Sequence, residues 1–152
     1  MKMCEMFADT PENLNTSFLM ASILRMQKQY IKKTMIQLNI TKGEFPFLML
    51  LYVKGNKSQK EIADTFIFSE ANVAKITRNL EDKNLIKKEV DDNNRRKKIV
   101  ALTSEGKKTC KKIIETEKEW ENQVTKNISN EKKDILKEIL NEILKESFEV
   151  CN

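Results

Sequence analysis

Four consecutive cations, Arg95, Arg96, Lys97 and Lys98, form the densest basic run in this chain. Side by side they repel one another and help no core. Over a polyanion they would release condensed counterions. They follow Asp91, Asp92, Asn93 and Asn94, a turn-forming cluster. The chemistry these residue types suit is anion binding. Other chemistry is excluded by what is missing. With no histidine, the commonest general base and the commonest zinc ligand are gone, and with them any Ser-His-Asp or Cys-His hydrolase. The three cysteines, Cys4, Cys110 and Cys151, are far apart and make neither a CxxC site nor a secreted disulfide framework. Neither GxGxxG nor GxxxxGK occurs, so no Gly-rich phosphate loop is expected. No catalytic residue, metal site or cofactor is expected, and an enzyme is not the reading.

The formal charge of +5 is uneven. Residues 1–53 carry six basic and four acidic side chains, residues 54–103 twelve and eight, and residues 104–152 ten and eleven. The excess sits in the middle third, where a polyanion partner would act. A solvated lysine-rich surface has the same composition, so the pattern along the chain must decide.

With 152 residues the chain has room for one domain and a core that needs no disulfides. Three glycines and two prolines are too few for a barrel or sandwich, and the abundance of Lys, Glu, Leu and Ile predicts a mainly α protein. The longest apolar run, 47–53, is too short for a bilayer, and MKMCEMFADT lacks a long apolar signal core. A reduced cytoplasmic protein without a membrane partner is the expectation.

The elements that must position the cations can be read in order. A long helix is predicted over 13–38. Thr41 and Glu44 match a capping box before an apolar helix over 45–53, with Pro46 early and Gly55 as its stop. Ser58 and Glu61 form a second capping box, opening a helix over 59–66. After a short turn at Ile67 and Phe68, Ser69 caps a helix over 70–83 with Val73, Ile76 and Leu80 on one face. Asn84 suits the end of that helix. The period then changes: 85–90 and 98–102 read as strands around a polar tip carrying the four cations. Thr103 caps a helix from 104 to about 127, and Ser129 one from 130 to about 149. Ile135, Leu136, Ile139, Leu140, Ile143, Leu144 and Phe148 form the apolar stripe of the last.

Helix, turn, helix and hairpin is the order of a winged helix-turn-helix, a mainly α fold with a two- or three-stranded β wing. Its second helix enters the major groove. Opposite the stripe of Val73, Ile76 and Leu80 lie Ala71, Ala74, Lys75 and Arg78, flanked by Asn72 and Asn79. Small residues permit close approach; Asn72, Lys75, Arg78 and Asn79 can reach phosphates or base edges. Ser69 and its neighbouring N–H groups suit a phosphate, and Ser58 and Gln59, which open the preceding helix, are expected to contact DNA as well. Arg95, Arg96, Lys97 and Lys98 would meet the minor groove or the backbone, arginine favouring a narrow groove.

The stretch from Leu38 to Lys108, with SQKEIADTF, SEANVAKITRNLEDKNLI and the wing ending RRKKIVALTSEGKK, resembles the MarR family of transcriptional regulators. The resemblance covers roughly 14–108 by motif, and LT-x-x-G after a basic wing is its most specific part. It implies a homodimer in which segments 1–38 and 104–152 interlock and hold two 41–103 lobes over a palindromic operator in double-stranded DNA, most simply as a repressor. The family's Asp-x-Arg wing signature falls on Arg96, with Asn94 in the Asp place and Asp92 nearby; the family's glycine before the wing strand is Asn84. Family members often bind an anionic aromatic effector such as salicylate. That points to Arg25, Met26, Tyr30, Phe45, Phe47 and Met49, residues that simple core and dimer packing would also use. Some relatives sense oxidants through a cysteine near the first helix, which would give Cys4 and Cys151 a redox role; incidental cysteines fit equally. Cys110 reads as a helix-packing thiol. The rival to a DNA-binding regulator is a helical adaptor whose basic hairpin holds an acidic protein partner.

Overall fold

The structure is a computed structural model that describes residues 14–91 and 94–151, with the backbone alone at 91 and 94–98. Cys4 therefore lies outside the described residues. Helix α1, Thr16–Gln37, opens on Asn15, whose side chain accepts from the Phe18 N–H at 2.8 Å. The Thr41 box forms: Thr41 N–H donates to Glu44 Oε2 at 2.8 Å, and Glu44 N–H to Thr41 Oγ1 at 3.3 Å. It closes a turn, and helix α2, Phe45–Lys54, begins just beyond with Glu44 as its cap. Pro46 sits where a missing N–H is harmless. Gly55 ends the helix at φ 74°, a conformation glycine takes without strain. Apolar all round, α2 runs through the core and buries Phe47, Leu48 and Leu51.

Strand β1, Lys57–Ser58, is too short to leave a sequence pattern; it is found only because Lys57 and Ser58 pair with Val100 and Ile99. Helix α3, Gln59–Phe66, follows, then α4, Glu70–Asp82. Asn84 adopts φ 56°, as its place after α4 predicts. Strands β2, Ile86–Asp91, and β3, Asn94–Leu102, pair antiparallel in a sheet ordered β1-β3-β2.

Here one expectation is corrected. The second strand begins at Asn94 and not at residue 98, so residues 95–98 belong to β3 and not to the hairpin tip. Asp91 pairs with Asn94, and residues 92–93 lie outside the described residues. A run of four cations has no alternation to mark a strand; its extent is set by the pairs Val90–Lys98 and Asp91–Asn94, between which the register shifts.

Helix α5 is Ser104–Val124 and α6 is Asn130–Val150, the latter capped by Ser129. The LT-x-x-G motif acquires a physical reason. Thr103 Oγ1 donates to the Asn84 carbonyl at 2.7 Å and accepts from Gly106 N–H at 2.9 Å, while Thr103 N–H donates to the Leu85 carbonyl at 3.0 Å. A Cβ on Gly106 would lie 2.0 Å from that same Leu85 oxygen, so only glycine lets α5 approach the start of β2. Cys110 is fully buried and its thiol donates to the Leu48 carbonyl at 3.6 Å. Burial pushes that thiol up to about 11, so it is protonated and inert at neutral pH.

The chain divides into two compact units, one ending at Glu117 and one starting at Lys118. Within the second, α6 buries no side chain: Ile135, Leu136, Ile139, Leu140, Leu144 and Phe148 are all exposed.

Candidate nucleic-acid interface

Two local devices set the helix pair. Ser58 Oγ accepts from Glu61 N–H at 3.2 Å while Glu61 Oε2 accepts from Ser58 N–H at 2.8 Å, a reciprocal cap that starts α3. Ser69 Oγ accepts from Asn72 N–H at 3.3 Å and starts α4. Between them Phe66 and Phe68 stack on the buried Phe47, with centroids 5.1 and 6.1 Å from it. The turn is therefore anchored to α2 on both sides.

The inward face of α4 is Val73, Thr77 and Leu80, with Ile76 half-buried. Thr77 was not apparent from the apolar pattern because it is polar. Its hydroxyl donates to the Val73 carbonyl at 2.9 Å and accepts from Gln59 Nε2 at 2.6 Å. That satisfied contact locks α3 against α4.

The outward face carries Ser69, Asn72, Lys75, Arg78 and Asn79, all exposed. Among the described residues, neither Lys75 nor Arg78 is drawn into an ion pair. Two other expected residues have different surroundings. Ser58 is only 7% exposed and spends its hydroxyl on the cap, and Gln59 is half-buried on Thr77. Both hold the interface in place from behind. Lys60, exposed on the first turn of α3, escaped the sequence reading because a lone lysine after a cap carries no pattern.

In the wing, the β2 lysines are compensated: Lys87 pairs with Glu89, and Lys88 with Glu81 at 2.7 Å. The cationic residues 95–98 lie on the neighbouring strand. The C-terminal end of α4 is tied down by Lys83, whose ammonium donates to both Glu44 carboxylate oxygens at 2.8 Å and to the Asn39 carbonyl at 2.7 Å. Burial would raise the Glu44 carboxyl, but Lys83 and the Thr41 N–H and hydroxyl overcome it and hold it below its ordinary 4.5.

The expected effector residues separate into two groups. Phe47 is a core residue, stacked on two rings, and Phe45 and Met49 are half-buried beside that core on α2. Arg25, Met26 and Tyr30 are exposed on α1. A cavity of about 340 Å³ is lined by other residues, among them Leu51, Tyr52, Lys87, Ala101 and Lys107.

A capped helix pair with an exposed polar second helix, backed by an antiparallel wing, defines the winged helix-turn-helix class. Residues 40–98 match the MarR family model. The chain resembles the MepR–DNA complex of S. aureus at 28% identity, covering 86% of this chain and 98% of that one with a TM-score of 0.67. It resembles S. aureus MepR bound to ethidium bromide at 27% identity, covering 89% and 98% with a TM-score of 0.66. A crystal structure of MarR shares the fold at 22% identity, 91% and 94% coverage and a TM-score of 0.75. Comparison with curated protein sequences gives no match. The lobe over residues 40–98 is similar to that of the MarR family, and the fold over most of the chain is that of MepR, whose structures include a complex with DNA. Among the described residues no helix is long and apolar enough to cross a membrane.

Proposed function

We propose that the chain is a homodimeric repressor that reads a palindromic operator with α4 and is released by a small aromatic molecule. The observation that carries this reading is the outward face of α4, where Asn72, Lys75, Arg78 and Asn79 are exposed, in a lobe whose β3, the strand paired with β2, bears four successive cations. Asn72, Lys75 and Asn79 supply base-edge donors and acceptors, and Arg78 with residues 95–98 supplies phosphate and minor-groove charge.

The homodimer is supported by α6, whose apolar stripe is exposed except at the half-buried Ile143, and by Leu19, Ile23, Leu24 and Ile36, exposed on α1. Stripes of this size on a regular helix are interaction surfaces. A two-fold dimer places two groove helices about 34 Å apart on successive turns, which makes the operator palindromic.

Release follows by linkage. A ligand that prefers another spacing of the two lobes competes with DNA. The relative MepR was crystallised with ethidium, a flat aromatic cation, which supports an aromatic ligand class for this chain. Salicylate tests the anionic side of that class. The effector residues proposed are Arg25, Met26 and Tyr30 with Phe45 and Met49; Phe47 lies in the core against which Phe45 and Met49 pack.

The test is fluorescence anisotropy with a duplex selected by the protein from a random pool, at two salt concentrations, with and without ethidium or salicylate. Tight, salt-dependent binding that either ligand weakens is expected. Binding that is equal for all duplexes and unmoved by salt would favour an adaptor for an acidic protein instead.

A further inference from the structure

Among the described residues, three that are not glycine have positive φ: Asn39, Asn84 and Ile67. Asparagine tolerates that region. Ile67, at φ 54° and ψ 43°, is β-branched and does not. It caps the C-terminus of α3, the position where glycine removes the clash between Cβ and the backbone. Nothing in the core rewards the isoleucine, because its side chain is 94% exposed, the highest value among the described large hydrophobics. The strained turn persists because Phe66 before it and Phe68 after it are both stacked on Phe47 and lie 5.8 Å from each other. An exposed apolar side chain is thus held rigidly, at a conformational cost, two residues before the Ser69 cap of α4.

That location selects the partner. The N-terminal end of the second helix is the part of a helix-turn-helix that reaches the base edges. Ile67 stands two residues before Ser69, whose Oγ accepts from Asn72 N–H, and is not part of the apolar stripes of α1 and α6. The apolar feature of a major groove is the thymine C5-methyl group. We propose that Ile67 is a sequence-reading contact, packing its side chain on a thymine methyl of the operator. The proposal rests on the DNA-binding reading above and assigns to the turn a role that the polar residues of α4 do not cover.

The variant Ile67→Gly separates strain from contact, since it relieves the first and removes the second. Its melting temperature should rise by about 3 °C, because glycine takes the left-handed cap without strain. Its affinity for the selected duplex should fall roughly tenfold, the loss of one good contact. A copy of the duplex with deoxyuridine in place of thymidine lacks the methyl groups. Wild type should lose affinity on that copy by a larger factor than the glycine variant does, closing a double-mutant cycle. Equal affinity of variant and wild type for the thymidine duplex overturns the proposal, as does an equal thymidine-to-deoxyuridine ratio for both. If wild type selects no duplex at all, the DNA-binding reading falls and the contact with it. If both proteins bind the selected duplex alike, only the role of Ile67 falls.

Discussion

Gly106 shows how a single residue sets the approach of one element to another. Its missing side chain leaves room for the Leu85 carbonyl, and the Thr103 hydroxyl next to it bridges Asn84 to the first turn of α5. A methyl group there must push backbone, not a flexible side chain. Gly106→Ala should therefore destabilise the protein by roughly 2–3 kcal/mol, in the range of overpacked cores. A lower urea midpoint at unchanged slope would report it. Glu44 makes a second prediction. The residue is 2% exposed, and its carboxyl is held below 4.5 by Lys83 and Thr41. A lowered folded value means that the ionised form contributes stability fully above the unfolded value, and that this contribution is lost as pH falls through the folded value. At pH 7, Glu44→Gln should cost about 2 kcal/mol, the worth of a charged hydrogen bond. The difference between variant and wild type should shrink on acidification below pH 4.5. Urea unfolding of both proteins across that range checks it; a difference constant with pH would mean that the ion pair contributes nothing.

The two elements proposed to face DNA, α4 and the wing, should fail differently when altered. Lys75 is exposed on the helix expected in the groove. Lys75→Ala should cost on the order of 1–3 kcal/mol per half-site on the selected duplex and little on a scrambled one. Arg96 lies on β3, the longest strand of the sheet. Arg96→Ala should weaken both duplexes similarly and lower the salt slope by about one per chain. Anisotropy on both duplexes across a salt series separates the two roles. An unchanged slope for both Arg96→Ala and Arg95→Ala would detach the wing from DNA. The elements behind the interface act by positioning. The Gln59–Thr77 hydrogen bond and the stack of Phe47, Phe66 and Phe68 hold α3 and α4 at a fixed angle, so the exposed residues of α4 are presented by a rigid support.

At the scale of the whole molecule, one chain leaves too much apolar surface uncovered. Each Leu or Ile moved fully out of water is worth roughly 1.5–3 kcal/mol, and α6 alone exposes Ile135, Leu136, Ile139, Leu140 and Leu144. Light scattering at micromolar concentration should therefore give the mass of two chains, twice 17.8 kDa. Leu140→Glu, which places a charge in the middle of the stripe, should shift the mass toward one chain and weaken binding to a two-half-site duplex more than to a single half-site. A wild-type protein of 17.8 kDa at that concentration would remove the dimer and the palindrome together.

The sequence by itself determined what is local. The capping boxes at Thr41 and Ser58, the cap at Ser69, the stop at Gly55 and the left-handed Asn84 were all legible, because each is settled within about four residues of chain. The exposed cationic face of α4 was legible too, since Val73 and Leu80 fix which side faces inward. Only the tertiary structure decided what depends on a distant partner. The strand at Lys57–Ser58 exists because β3 runs beside it, and β3 reaches back to Asn94 because Asp91 of β2 pairs with it beyond a shift in register. Thr77 is buried because Gln59, eighteen residues earlier, supplies the hydrogen bond a hidden hydroxyl requires. Gly106 is required because Leu85 approaches it from another element. Ile67 takes the left-handed cap because Phe66 and Phe68 are anchored on a ring nineteen or more residues away in the chain, a constraint no local pattern records.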